Sequence, residues 1–390
     1  MKKHALCKML LGAALTVVLF MSICLTAGER NDKNITSINV VTMPLLVNTE
    51  YARSLLAEMW AEIEPGIELN FVDRGYGSTK YPENIDVLTF DFENIDYLSS
   101  LGYFREIKPR NIDALDSLIP FARENLYTNG KIYGVPQFVC GNYLVYHKGD
   151  TELDGVSNIV ELCKVLAKGN TESLPIQEDA DKVWIDFGYQ YAYYALDAVL
   201  DCNGYYVPFN EVVVNRNLPE VYNLFNEVRN WSIETESGDI DPVAFGEGRG
   251  RAIFCFTEKV NMTGLNPEDL TVKAISFSDG PDVPLTYMDS VAISDWVKDP
   301  AKYEKCLELV NLMTSREYLE RLLTFEGKPQ YLLPAREDVF REYAEQYPLY
   351  AQMYDRLVGE QTYQFRGNAE NLNQTIKSIK AYQKQMDEAA

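Results

Sequence analysis

Past its first 25 residues the chain has no apolar run long enough to cross a bilayer, no closely spaced cysteine pair, no internal repeat and no low-complexity linker. The first absence excludes a polytopic membrane protein. The second excludes a structural zinc site, which needs ligands only a few residues apart, and no metal centre is expected. The last two exclude a solenoid and a string of tethered domains. Positive charge is also scarce. Only 36 Lys and Arg stand against 58 Asp and Glu, for a formal net charge of −22 at pH 7. Such a surface repels phosphate backbones, so nucleic acid is not an expected partner.

What is present suffices for a two-part fold. With 390 residues, 46% of them hydrophobic, the chain can build two lobes with separate cores. Met1-Lys2-Lys3 and Lys8 precede an apolar run from Leu10 to Leu25 and the small residues Ala27 and Gly28. This pattern predicts a secretory signal over residues 1–28, and hence a secreted or extracytoplasmic protein. Cleavage there removes three lysines and no acids, which makes the remainder more anionic still. Cys24 follows Met21-Ser22-Ile23, an imperfect lipidation signal, so a membrane association is expected only if Cys24 is lipidated. Five cysteines remain after processing (Cys140, Cys163, Cys202, Cys255 and Cys306), and an odd number leaves at least one free thiol.

From Ser37 onward strand and helix patterns alternate. Ile38 to Thr42 reads as a strand, and Thr49 as the cap of a helix with Tyr51, Leu55, Met59 and Ile63 on one face. Ile67 to Val72 and Ile85 to Phe90 read as further strands, followed by a helix from Asn94 to Leu101. Alternation of this kind predicts an α/β fold with a mostly parallel sheet, whose ligands sit beyond the carboxyl ends of strands, here Met43-Pro44-Leu45 and Asp91. Later come an aromatic helix around Tyr189 to Asp197, a glycine-rich turn leading into a strand at Phe254 to Glu258, and a strand from Tyr287 to Ser294. Alternation along the second of these puts Phe254, Phe256 and Glu258 on one side. Asp299-Pro300 starts one helix, Ser315 starts the next and Gly327 is expected to stop it.

The residue with most chemical potential is Cys140, in the run Gly130-Lys-Ile-Tyr-Gly-Val-Pro-Gln-Phe-Val-Cys-Gly-Asn-Tyr-Leu-Val-Tyr-His-Lys148. A lone cysteine between Val139 and Leu144 is commonly just a small buried hydrophobe. Reactivity needs an activating neighbour, because a thiol of ordinary pKa near 8.5 is mostly protonated at neutrality. Glu258 can be that neighbour: a carboxylate beside Phe254 and Phe256 has its pKa raised by burial, as a general base requires. Without such a role it is a surface glutamate at a strand end. Cys163, Cys202 and Cys306 lie in helical patterns as packing residues, and Cys255 faces opposite to Glu258 on an alternating strand.

The "GKIYGVP" turn and the "YLVYHK" strand around Cys140 resemble the cleft-crossing segment of extracellular solute-binding proteins. Within that superfamily the chain resembles thiaminase I over nearly all its mature length. The family's nucleophilic cysteine falls on Cys140 in "PQFVCGN", and its catalytic glutamate on Glu258 in "FTE". Its substrate-contacting acids fall on Asp91 in "LTFD" and Asp289 in "TYMD", with Tyr287 and Phe256 as aromatic walls. The resemblance implies a two-lobed α/β fold of the periplasmic-binding-protein type II class. It divides the chain into a first part of lobe 1 over residues 35–145, lobe 2 over 146–285 and a return to lobe 1 with C-terminal helices over 286–390. It also implies a transferase that acts on thiamine or a thiamine derivative with a small nucleophilic co-substrate and no cofactor.

One departure stands out. Where the family presents a "Y-P-Y"-like turn this chain has Met43-Pro44-Leu45, placing Met43 and Leu45 as apolar substrate contacts. Tyrosine hydroxyls are lost there, so a derivative altered on the thiazole side is compatible with the site; Tyr76 and Tyr81 could restore the wall. Two other readings share the fold. One is a non-catalytic solute-binding protein delivering thiamine or a pyrimidine to an ABC transporter, and the other an oligosaccharide or peptide binder, suggested only by 26 Tyr, 17 Phe and 4 Trp. The discriminator is whether Cys140 and Glu258 face one cavity.

Overall fold

The computed structural model describes residues 35–43, 48–73, 83–169, 179–187, 190–206, 217–233, 235, 240–359, 362–364, 366, 377–381 and 384. The expectations for residues 1–28, Cys24, Leu45, Tyr76 and Tyr81 lie outside them. The chain divides into Met1–Ser37 and Ile38–Ala390, and the second unit holds the fold.

The strands are β1 (Ser37–Val41), β2 (Glu68–Phe71), β3 (Val87–Asp91), β4 (Gly134–Cys140), β5 (Asn142–His147), β6 (Val183–Trp184), β7 (Ser232–Ile233), β8 (Ala252–Phe256), β9 (Leu270–Lys273), β10 (Leu285–Ile293), β11 (Thr324–Phe325), β12 (Lys328–Pro329), β13 (Leu333–Pro334) and β14 (Tyr363–Gln364). They form a seven-stranded sheet in the order β13-β4-β10-β3-β1-β2, with β14 pairing to β10, and a five-stranded sheet in the order β7-β6-β8-β5-β9. The expectation of a mostly parallel sheet needs correction. β1–β3 is parallel, but β10 runs antiparallel to both β3 and β4, and β5 runs antiparallel to both β8 and β9.

The helices include α1 (Thr49–Ile63), α2 (Ile95–Ser100), α3 (Ile159–Ala167), α4 (Tyr191–Asn203), α5 (Leu218–Arg229), α6 (Pro300–Met313) and α7 (Arg316–Leu322). Helix α1 is capped by Asn48, whose side chain accepts from the Tyr51 amide; Thr49 is already helical. Its buried face is Ala52, Leu55, Leu56, Met59 and Trp60, and Ile63 is exposed. Asp299 and Ser315 cap α6 and α7 as expected. Gly327 does not end α7, which stops at Leu322; with φ +76° it makes the turn between β11 and β12. Left-handed backbone of this kind favours glycine.

Two cores flank the five-stranded sheet, and β5 divides its side chains between them: Tyr143 and Val145 join the core of the larger sheet, while Leu144 and Tyr146 pack with α3, α4 and α5. A strand buried on both faces reads as a continuous apolar run, as "YLVY" does. The link from β4 to β5 is Gly141 alone. Burial of Arg251, with its side chain 1% exposed, is compensated by two hydrogen bonds to Asp150 at 2.7 and 2.8 Å and one to Glu152 at 2.7 Å. Among the described residues no helix is long and apolar enough to cross a membrane.

Candidate active site

Three strands lose their burial at the same place. β3, β4 and β8 are buried through their length until the final residue, and those residues are Asp91, Cys140 and Phe256, each half-buried. β3 and β4 both run antiparallel to β10, so their carboxyl ends lie side by side, and the pairing of Asn142 with Phe256 brings the end of β8 next to Cys140, the kind of place where α/β folds hold ligands.

Register brings the sequence-predicted residues together. Cys140 pairs directly with Tyr287 across β4 and β10, and Asp289 pairs directly with Asp91 across β10 and β3. Side chains of register partners share a face and stand about 5 Å apart, and residues two apart on one strand share it as well. Cys140, Tyr287, Asp289 and Asp91 therefore project from the same face of the sheet. The register is set by an irregularity: Asp289 faces Phe138 while Ser290 faces Pro136, which leaves Gln137 as an extra residue. Proline has no amide hydrogen to give the ladder and is tolerated at such a bulge. The Gln137 side-chain amide donates to the Met313 carbonyl at 2.8 Å, which fixes it in the core.

Glu258 arrives from the other sheet. It is not on the strand with Phe254 and Phe256: β8 ends at Phe256, and Glu258 lies in the first turn of a 3-10 helix over Thr257–Thr263. Phe254 is buried in the core with α4, whereas Phe256 is half-buried with its ring perpendicular to that of Tyr287, centroids 6.3 Å apart. Two contacts seat the turn. The Thr257 hydroxyl donates to the Tyr331 carbonyl at 2.7 Å, and Gly246 lies so close to Thr263 that a Cβ there would be 1.7 Å from its carbonyl oxygen.

The electrostatics are one-sided. Burial pushes the Cys140 thiol well above its ordinary value, and the carboxylates of Asp289, Glu258, Asp91 and Glu93 push it further in the same direction. Glu258 is raised to about 7 by burial, opposed by a hydrogen bond from its own backbone amide and by Lys259. Burial raises the Tyr287 hydroxyl well above its usual range, with Asp197, Glu93 and Cys140 adding to the effect. The remaining thiols are packing residues: Cys163, Cys255 and Cys306 are buried, and Cys202 lies two residues before Gly204, which ends α4 at φ +72°.

Met43 sits two residues beyond β1, half-buried against the core of the larger sheet. Glu93 was not among the expected site residues. It lies in the 3-10 turn Phe92–Asn94 that follows Asp91. Burial and the Asp91 charge raise it to about 8, against a hydrogen bond from Tyr193 that lowers it. The signal in the sequence was the Asp-x-Glu spacing at the end of an apolar strand. Beside the Gly141 link lies a small, separate polar recess lined by Asn142, Asp197, Asp282, Thr286 and Arg356 among others; Cys140 and Glu258 are not part of its wall. Among the described residues no group of side chains could hold a metal ion.

No family model matches the chain. The chain is 30% identical over 332 residues to Thiaminase-1 of Paenibacillus thiaminolyticus, covering 81% of this chain and 80% of that protein. The structure of Clostridium botulinum thiaminase I in complex with thiamin superposes with a TM-score of 0.77 at 26% identity, over 89% of this chain and all of that one. The maltose-bound MalE3 protein of T. maritima shares the two-lobed fold at a TM-score of 0.65 and 16% identity, over 90% of this chain and 99% of that one. Sequence and fold lead to the same group, and the chain belongs to the thiaminase I family.

Proposed function

We propose that this protein is an exported transferase that breaks thiamine, or a thiamine derivative, into its two rings and passes the pyrimidinylmethyl group to an amine or thiol. The observation that carries this reading is the setting of Cys140: besides burial, the groups that act most on the thiol are the four carboxylates of Asp289, Glu258, Asp91 and Glu93. A permanently cationic thiazolium fits such a recess, and neutral sugars do not need it. The ring faces of Tyr287 and Phe256 add a surface favourable to a flat cation.

In this reading Glu258 takes the thiol proton, and the thiolate attacks the unsubstituted ring carbon of the pyrimidine. The electron pair pushed into that ring forms a double bond to the bridging methylene, and the methylene–nitrogen bond breaks with its pair going to nitrogen, which releases neutral thiazole. The acceptor adds at the methylene and sheds any surplus proton to solvent. Cys140 then departs and recovers its proton from Glu258. Asp91 and Asp289 orient the aminopyrimidine, and such placement is worth several powers of ten in rate. Met43, half-buried just beyond β1, supplies an apolar contact to the substrate.

The test is to incubate the purified protein with thiamine and pyridine and follow the exchanged product by mass spectrometry. The Cys140→Ser variant is expected to bind thiamine and give no product. Tight thiamine binding without exchange by the wild-type protein overturns catalysis in favour of solute delivery.

A further inference from the structure

Glu93 and Tyr193 meet between elements of the two sheets. Glu93 follows Asp91 at the end of β3 in the larger sheet, and Tyr193 belongs to α4, which packs on the five-stranded sheet. A hydrogen bond joins the Tyr193 hydroxyl to the Glu93 carboxyl. Tyr193 in turn meets Tyr287 edge to face, with centroids 6.0 Å apart and planes at 79°. Tyr287 is the register partner of Cys140 and carries Phe256 at 90° on a further contact. The four side chains form a continuous line, Glu93 to Tyr193 to Tyr287 to Phe256, that passes beside the thiol and spans both sheets.

We propose that Glu93 is a positioning residue for the transfer reaction: by accepting the Tyr193 hydroxyl it ties α4 to the end of β3 and holds the Tyr193–Tyr287 wall against the substrate ring. The inference rests on the reading of the site as a thiamine-cleaving one. Its chemical logic is that a tyrosine with two soft torsions makes a poor wall unless its far end is anchored, and the anchor here is a carboxyl at the end of a strand in the other sheet. Glu93 itself does not touch the reacting carbon. It acts through the ring it holds, so its loss weakens substrate binding and leaves the chemical step largely intact.

The experiment is a double-variant cycle on the full chain with thiamine and pyridine. Glu93→Ala and Tyr193→Phe are each expected to raise KM about tenfold, the usual worth of one such hydrogen bond, with kcat changed less than about threefold. The double variant is expected to be no worse than either single one, because both remove the same contact. Glu93→Gln still offers a carbonyl to the Tyr193 hydroxyl and is expected to return KM to within about threefold of wild type. Tyr193→Phe and Glu93→Gln keep the local shape, so they carry the test even if the alanine variant is unstable. KM effects that multiply in the double variant, a loss confined to kcat, or a Gln variant as impaired as Ala would each overturn the inference. A wild-type protein that does not exchange thiamine removes the functional reading along with it, whereas active wild type with independent variants removes only the role of Glu93.

Discussion

Cys140 and Tyr287 are direct register partners on neighbouring antiparallel strands, and two residues further along β10 Asp289 is the direct partner of Asp91. One strand thus supplies both the ring beside the thiol and the acid nearest to it in effect, while strands from either side bring the other two groups. The arrangement makes the thiol dependent on its surroundings in ways that can be measured.

The pH profile follows from Glu258. The proposed mechanism requires Glu258 ionised as the base, and burial raises its carboxyl to about 7. We expect kcat/KM to rise through about pH 7, falling close to tenfold for each unit below it. Glu258→Gln is expected to lose that limb and about 10² to 10⁴ of the rate. An unchanged acid limb in the Gln variant would assign the base elsewhere.

Asp289→Asn should move two measurements in opposite directions. Asp289 is the carboxylate that raises the Cys140 thiol most. Its neutralisation lowers the thiol pKa, so iodoacetamide should alkylate Cys140 several-fold faster at pH 8, as followed by mass of the Cys140 peptide. Exchange of thiamine should meanwhile fall, because an orienting group is gone. Slower alkylation and slower exchange together would point to a collapsed site instead.

Stability carries the same signature. The folded-state pKa of Glu258 is raised to about 7 from 4.5, so the native chain binds more protons than the unfolded one in between. The stability contribution is present below the unfolded value and is lost as pH rises through 7. Glu258→Gln escapes that loss, and its Tm should exceed that of wild type at pH 8, by an amount worth up to about 3 kcal/mol, with the advantage vanishing near pH 4. Equal differences at both pH values would rule out the buried charge as the cause.

Arg251 lies far from this chemistry in role and gives a purely structural test. Arg251→Ala leaves Asp150, 4% exposed, without its cation. Breaking a buried pair from one side typically costs about 3 to 5 kcal/mol, which urea unfolding would register. A loss under about 1 kcal/mol would mean that water enters the pair.

Much of this was legible in the chain itself. Asp91, Cys140 and Phe256 each end an apolar run, and a run that stops at a strand's carboxyl end marks a mouth. The caps at Asp299 and Ser315 were legible because their partners are two or three residues away. The sheet's direction was not, because β10 enters between β3 and β4 from some 150 residues downstream, and no local pattern encodes that insertion. Glu258 departs from the alternating pattern because the backbone turns helical after Phe256. The contact of Glu93 is hidden for a similar reason: its partner Tyr193 lies a hundred residues away in α4.

The single residue Gly141 between β4 and β5 has a mechanical meaning. Cys140 ends one sheet and Asn142 begins the other, already paired with Phe256 just ahead of Glu258. If the halves swing about that joint, sulfur and carboxyl ride near the axle while the outer walls sweep the wide arc. Such a motion would widen or narrow the mouth while leaving the spacing of Cys140 and Glu258 nearly unchanged.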